Sequence, residues 1–155
     1  MASDLSDISD FGNRLQYLFR RIDGALSQRL DDDLRPYGIT QGQLSALAQL
    51  HVARPGALSG AELSHRAGIT PQSMSTAIAG LLSRGLVARE PSPGHGRRLD
   101  VRITDAGAEL LLEVQRVTAE RDAGMDLGLD RREEEELRGL LRRVAERLGV
   151  YLPTR

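Results

Sequence analysis

The chain has 155 residues, which is enough for one domain, or for a small domain with a dimerising extension, but not for a separate catalytic domain as well. It contains no cysteine, so disulfides, thiolate metal sites and thiol redox sensing are excluded. The formal net charge is −1, yet residues 54–104 hold seven arginines against three acidic residues and carry +4, leaving −5 for the remainder. Such clustering of positive charge favours contact with phosphate groups.

The first predicted element is a long amphipathic helix that begins at Asp10 and is ended by Pro36 and Gly38. Apolar residues recur there at steps of three and four, which places them along one helix face. They are Phe11, Leu15, Leu18, Ile22, Leu26, Leu30 and Leu34.

A second helix is predicted to follow Thr40 and to stop at Pro55. Residues 40–43 have the spacing of a capping box, in which the first and fourth side chains bond each other's backbone N–H groups. The residues predicted to face inward are Leu44, Leu47, Leu50 and His51.

Residues 59–84 predict a helix-turn-helix. Residues 59–62 again have capping-box spacing, and Gly68 offers the positive φ that ends a helix. Thr70 then supplies a cap oxygen and Pro71 a first helical position, so that a second helix runs to about Arg84.

The outward face of this second helix is short, polar and nearly uncharged. Small hydroxyl and amide side chains allow a helix to lie deep in the major groove of DNA and touch base edges. The alternative is an ordinary surface helix that happens to be polar. Under the first interpretation, the candidate DNA-binding residues on and beside the helix are Thr70, Gln72, Ser73, Ser75, Thr76 and Arg84.

A β-hairpin is predicted next, with strands at residues 86–89 and 99–103, because apolar and polar residues alternate in both. The loop between them contains two prolines and two glycines, which prevent regular structure. His95, Arg97 and Arg98 lie at its tip and are candidates for contact with phosphates or the minor groove. A loop that only aids solubility is the alternative.

Two further helices are predicted after the hairpin, from Thr104 to about Gly124 and from Asp130 to Gly149. The first and last helices of the chain carry apolar stripes that nothing nearby in the sequence can cover, so we expect them to pack against a second copy. A closed monomeric bundle is the alternative. The predicted fold class is therefore mostly α, with a small β-hairpin wing and long terminal dimerisation helices.

Three segments resemble the multiple antibiotic resistance regulator (MarR) family of winged-helix transcription factors. Residues 69–76 are similar to the start of that family's recognition helix, and residues 81–89 to its helix-to-strand joint. Arg97 with residues 103–107 resembles its passage from wing to helix. One departure is that the family's usual wing Asp-x-Arg reads His95-Gly96-Arg97 here.

Other classes of site are not apparent in the sequence. His51, His65 and His95 lie on different elements without the spacing of a metal pair, and no nucleophile elbow, phosphate loop or dinucleotide fingerprint is present. We therefore expect no metal, no cofactor and no enzymatic activity. No apolar run reaches the length of about 18 residues that spans a membrane, and no signal region is apparent, so we expect a cytoplasmic protein.

These features predict a homodimeric, sequence-specific DNA-binding repressor that recognises an inverted repeat. Residues 40–104 would form the DNA-binding region, and residues 1–39 and 105–155 the dimerisation region of one interwoven domain. A winged-helix module that binds proteins without binding DNA is the rival interpretation. The family resemblance further implies a small ligand, often an aromatic acid, and His51 is the candidate effector-binding residue, the alternative being a core histidine bonded to backbone.

Overall fold

A computed structural model describes residues 10–93 and 99–153 of the chain. The helices are α1 Leu15–Leu34, α2 Gln41–Val52, α3 Gly60–Ala67, α4 Pro71–Ser83, α5 Asp105–Ala123 and α6 Arg131–Arg147. The strands β1 Val87–Pro91 and β2 Leu99–Ile103 form an antiparallel pair. The predicted fold class, mostly helical with a two-stranded hairpin, is confirmed. The chain divides after Gly38 into two compact units, which are described separately.

The first unit consists of α1 with a short 3-10 turn at each end, Phe11–Asn13 and Arg35–Tyr37. The prediction that the helix begins at Asp10 is wrong, because Arg14 is extended and separates the first turn from α1. Asp10 makes no side-chain capping bond, and glycine and asparagine inside the turn are weak helix formers. The end of α1 before Pro36 agrees with the prediction.

In the second unit, side chains cap the helices where the sequence predicts them. Thr40 and Gln43 form a reciprocal capping box at the start of α2. Thr70, Thr104 and Asp130 accept backbone N–H bonds at the starts of α4, α5 and α6. These short-range bonds fix where each helix begins.

The cap of α3 departs from the expected capping box. The Ser59 hydroxyl accepts the Glu62 N–H bond at 3.1 Å, as predicted. The Glu62 carboxylate, however, lies 2.7 Å from Arg66 Nε on the next turn. Only half of the box forms, because a charge-assisted bond four residues along the helix competes for the same carboxylate.

The core of the second unit lies among α2, α3, α4, the hairpin and the first turns of α5. On α4 the buried residues are Met74, Ala77, Ile78 and Leu81. The other fully buried large side chains of this core are Leu47, Leu50, Leu63, Val101 and Leu111.

The hairpin pairs Val87 with Ile103 at its base and Pro91 with Leu99 toward its tip. A third segment joins it, because Leu58 and Val101 exchange backbone N–H···O bonds of 2.9 and 2.8 Å. The sequence did not predict this bridge, since a single residue of extended chain has no periodicity to detect. It holds the segment before α3 against the strand that leaves the wing.

A compact joint connects the C-terminal end of α4 to the start of α5. Thr104 donates its hydroxyl to the Gly85 carbonyl at 2.8 Å and its N–H to the Leu86 carbonyl at 3.1 Å. Gly107, in the first turn of α5, faces the Leu86 backbone so closely that a Cβ atom there would overlap the carbonyl oxygen. The residues that follow α4 and the start of α5 are therefore tied to each other through backbone contacts.

Large apolar side chains remain exposed on α1 and α6. On α1 they are Leu15, Leu18, Phe19, Ile22 and Leu26, and on α6 they are Leu137, Leu140, Leu141 and Val144, followed by Leu148 just after the helix ends. No residue of α6 is buried. Continuous exposed apolar stripes of this kind mark interaction surfaces. None of the described helices is long and apolar enough to cross a membrane.

Candidate nucleic-acid interface

The outward face of α4 is exposed along its length and is polar, as the sequence predicted. Gln72, Ser75 and Thr76 are exposed, and no charged residue lies between Pro71 and Ser83. The Thr76 hydroxyl donates to the Gln72 carbonyl at 3.2 Å, which leaves its lone pairs outward. This face therefore presents amide and hydroxyl groups that can bond base edges.

Thr70 and Ser73 are engaged at the N-terminal end of α4. The Thr70 hydroxyl accepts the Ser73 N–H bond at 3.1 Å and donates to the Ser73 hydroxyl at 2.9 Å. These two predicted DNA-binding residues thus hold the helix start in place. The Ser73 hydroxyl retains its own hydrogen for an outside acceptor, whereas the hydrogen of Thr70 is already used.

A groove of about 510 Å³ runs between the outward polar face of α4, called the reading face below, and the start of α2. Its lining residues are Thr40, Gly42, Gln43, Ile69, Gln72, Ser73, Thr76 and Ala77. This neighbourhood was not predicted, because the spacing of residues 40–43 indicates only a helix cap. No signal in the sequence places that cap beside α4.

Several arginines of residues 54–104 are paired with carboxylates. Arg54 Nη2 lies 2.8 Å from Asp105 Oδ1, and Arg102 Nε lies 3.2 Å from Glu90 Oε2. Arg66 donates from Nε to the Glu62 carboxylate, and this hydrogen bond raises the pKa of the Arg66 guanidinium above its ordinary value. Arg84, which directly follows α4, is exposed, and its contact with DNA stays a prediction. Arg89, on β1, is also exposed and was not singled out from the sequence.

The remaining predicted DNA contacts belong to the wing tip. His95, Arg97 and Arg98 lie outside the described residues, so their contact with DNA stays a prediction.

In the hairpin, Asp100 is opposite Glu90 in the strand register. The Asp100 side chain is buried, and its Oδ1 atom has no hydrogen-bond partner within the described ranges.

His51 lies in the last turn of α2 and is half-buried. Its Nδ1 atom is buried and has no hydrogen-bond partner among residues 10–93 and 99–153. The Oε1 atom of Gln49, two residues earlier, is likewise buried and without a hydrogen-bond partner in these ranges. Buried polar atoms are nearly always bonded, to protein groups or to ordered water, and the role of His51 in ligand binding stays a prediction.

A helix-turn-helix followed by a two-stranded wing, with apolar terminal helices, defines the winged helix-turn-helix class of DNA-binding proteins. Within that class, the MarR family profile matches residues 37–98. The chain is 33% identical over 135 residues to the HTH-type transcriptional repressor Rv2887 of Mycobacterium tuberculosis, covering 87% of this chain and 93% of the relative. The chain belongs to the MarR family, as its resemblance in sequence indicated.

Solved structures of the family have the same fold. The structure of Rv2887 in complex with salicylic acid is 30% identical to this chain, with a TM-score of 0.68, covering 84% of this chain and 96% of that one. A MarR variant from E. coli in complex with operator DNA is 24% identical, with a TM-score of 0.74 and coverage of 84% and 92%. At 24% identity, the similarity to the E. coli protein shows a shared fold.

Proposed function

We propose that this protein is a homodimeric transcriptional repressor that acts in the cytoplasm, binds an inverted repeat in duplex DNA and is released from it by a small anionic aromatic ligand. The observation that carries the proposal is the exposed, uncharged polar face of α4, which is held by a capped N-terminus within a helix-turn-helix. The relative Rv2887 is named a repressor and covers nearly the whole chain, which supports the same role here.

In this proposal α4 lies in the major groove, with Gln72 and Thr76 bonding base edges. Arg84, Arg89 and the wing arginines contact phosphates, which positions the helix but does not select a sequence. A two-fold dimer presents two copies of α4 to successive major grooves, about 34–36 Å apart. An operator with two inverted half-sites follows from that symmetry.

The reading face is tested by Gln72→Ala and Thr76→Ala. Each should lower discrimination between operator and random DNA by about 1–3 kcal/mol, because a base contact is lost. Non-specific affinity should barely change. The measurement is fluorescence anisotropy on a duplex that the wild-type protein selects from a random library, and on a scrambled duplex of equal length.

Thr118→Ala is the matched control for Thr76→Ala. The Thr118 hydroxyl donates to the Val114 carbonyl at 3.0 Å, the same bond across one helical turn, but on α5. Equal losses on both duplexes for the α4 variants would mean that these residues only contact phosphates. If the wild-type protein enriched no duplex at all, the rival protein-binding module would be favoured.

For ligand control we propose that His51 orients the carboxylate of an aromatic acid. Its unbonded Nδ1 atom supports this, and the salicylic acid bound by Rv2887 suggests salicylate as a probe. A ligand shifts the dimer only by its differential affinity for the DNA-competent and incompetent arrangements, typically about 1–3 kcal/mol.

His51→Leu should abolish the release of DNA by salicylate while leaving ligand-free operator affinity within about twofold of the wild-type value. The reason is that the coupling between ligand binding and DNA binding, about 1–3 kcal/mol, acts only when the ligand is bound. Titrating salicylate into the protein–operator complex measures both. The control is His65→Leu, which removes an exposed imidazole from α3. If salicylate released the His51→Leu protein from the operator at the same concentration as the wild-type protein, His51 would not be part of the ligand site.

A further inference from the structure

The side chain of Gln43 lies between two helices of the DNA-binding region. Its Oε1 atom accepts the Thr40 N–H bond at 3.0 Å, and its own backbone N–H donates to the Thr40 hydroxyl at 3.2 Å. The other end of the amide lies against α4 at Gly80. One side chain therefore caps α2 and contacts the backbone of the reading helix.

Gly80 is the position on α4 that allows this approach. A Cβ atom at Gly80 would overlap Gln43 Nε2 and would come within 3.6 Å of Gln43 Cδ. Glycine is unfavourable in a helix interior compared with alanine. The close passage of the Gln43 amide gives a physical reason for glycine at this position.

The chain beside Gln43 also packs against α4 and the turn before it. A Cβ atom at Gly42 would make ordinary van der Waals contacts, at 3.5 Å to Ile69 Cδ1 in that turn and at 3.9 Å to Ala77 Cβ on α4. Ala77 belongs to the buried core. A methyl group at position 80 would therefore displace the flexible end of the Gln43 side chain and disturb its bond to Thr40.

The reading residues lie on the same side of α4 as this contact. Gln43 lines one groove with Gln72, Ser73 and Thr76, and Gly80 follows Thr76 by one helical turn. The Gln43 amide therefore lies beside these residues, where α2 and α4 meet.

We infer that Gln43 is a positioning residue for operator reading, which acts on DNA through α4 and not by touching bases itself. The inference rests on the proposed role of α4 as the reading helix. With Gln43 in place, Gln72 and Thr76 are held at the depth and angle that match base edges. Without it, α4 retains its polar face, but Gln72 and Thr76 no longer match the base edges of the operator in depth and angle.

A double-mutant cycle tests the inference with Gln43→Ala, Gly80→Ala and the combined variant. The readout is the ratio of affinities for the selected operator duplex and the scrambled duplex, which a loss of stability alone does not change. Far-UV circular dichroism and a thermal melt establish that each variant is folded at the assay temperature. Gly139→Ala, on α6 with nothing within 4 Å of the added Cβ, is the control for helix propensity.

Each single variant should lower the operator preference by at least about threefold, because directly contacting residues couple by about that much or more. The combined variant should recover part of the loss, at least about twofold over Gln43→Ala, since the methyl group added at position 80 fills the space that the amide leaves. Gly139→Ala should bind as the wild-type protein does.

Two results would overturn the inference. Losses that multiply in the combined variant would mean that the contact does not position α4. A combined variant equal to Gln43→Ala would mean that the amide acts directly on DNA. Gln72→Ala, measured in the same assay, separates these results from failure of the proposed function, because an unchanged preference in that variant would deny the reading role of α4 itself.

Discussion

Leu141→Asp combined with Val144→Asp should convert the protein from dimers into folded monomers. Both side chains belong to the apolar stripe of α6 and are 42% and 40% exposed in the single chain. A carboxylate buried there against a second copy would lack a partner, which is strongly unfavourable. Since no residue of α6 is buried within the described chain, the substitutions should leave the fold of the monomer intact.

Light scattering at micromolar concentration measures the change. Gly139→Asp is the control, because it adds a carboxylate to α6 on the side opposite the stripe, where the position is open. Operator affinity of the double variant should fall by about 100-fold or more, since two linked half-site contacts become one. Deletion of residues 129–155 should have the same effect.

A double variant that remained dimeric would exclude the α6 stripe as the main interface. A monomeric wild-type protein would instead favour the closed-bundle alternative. Either result would also remove the reason for an inverted repeat, because the symmetry of the operator follows from the symmetry of the dimer.

Helix starts were predictable from the sequence because capping bonds join residues only three positions apart. Thr40 with Gln43 and Asp130 with Glu133 form the expected reciprocal pairs. The start of α1 was mispredicted, since Phe11 continues the apolar spacing although the backbone between it and Leu15 is not helical. Periodicity reports which residues could share a face, and it does not report whether the chain there is a helix.

The reading face could also be predicted, because α4 is short and its polar and apolar residues separate cleanly on a helical wheel. What the sequence could not give is the neighbour of that face. Gln43 and Gly80 are 37 positions apart, and their contact depends on how α2 and α4 pack. The unbonded atom of His51 is likewise a property of packing, although the residue itself was singled out from its position on α2.

Gly107→Ala should be among the most destabilising single substitutions in the chain. Its added Cβ would overlap the Leu86 carbonyl oxygen and lie 3.0 Å from both the Leu86 carbonyl carbon and Ile103 Cγ1. Backbone atoms cannot rotate away as the end of a side chain can, so α5 must separate from the end of α4. We expect the free energy of unfolding to fall by about 3 kcal/mol or more, the upper part of the range for overpacking a core.

Urea denaturation at matched protein concentrations measures this loss, with concentration fixed because dimerisation adds to apparent stability. Gly139→Ala is the control, since alanine at an open helical position should stabilise by up to about 1 kcal/mol. The same glycine-to-alanine change is thus expected to have opposite signs at the two sites. If Gly107→Ala unfolded at the wild-type urea concentration, the backbone at Leu86 could yield. The contact between the first turn of α5 and Leu86 would then not be rigid.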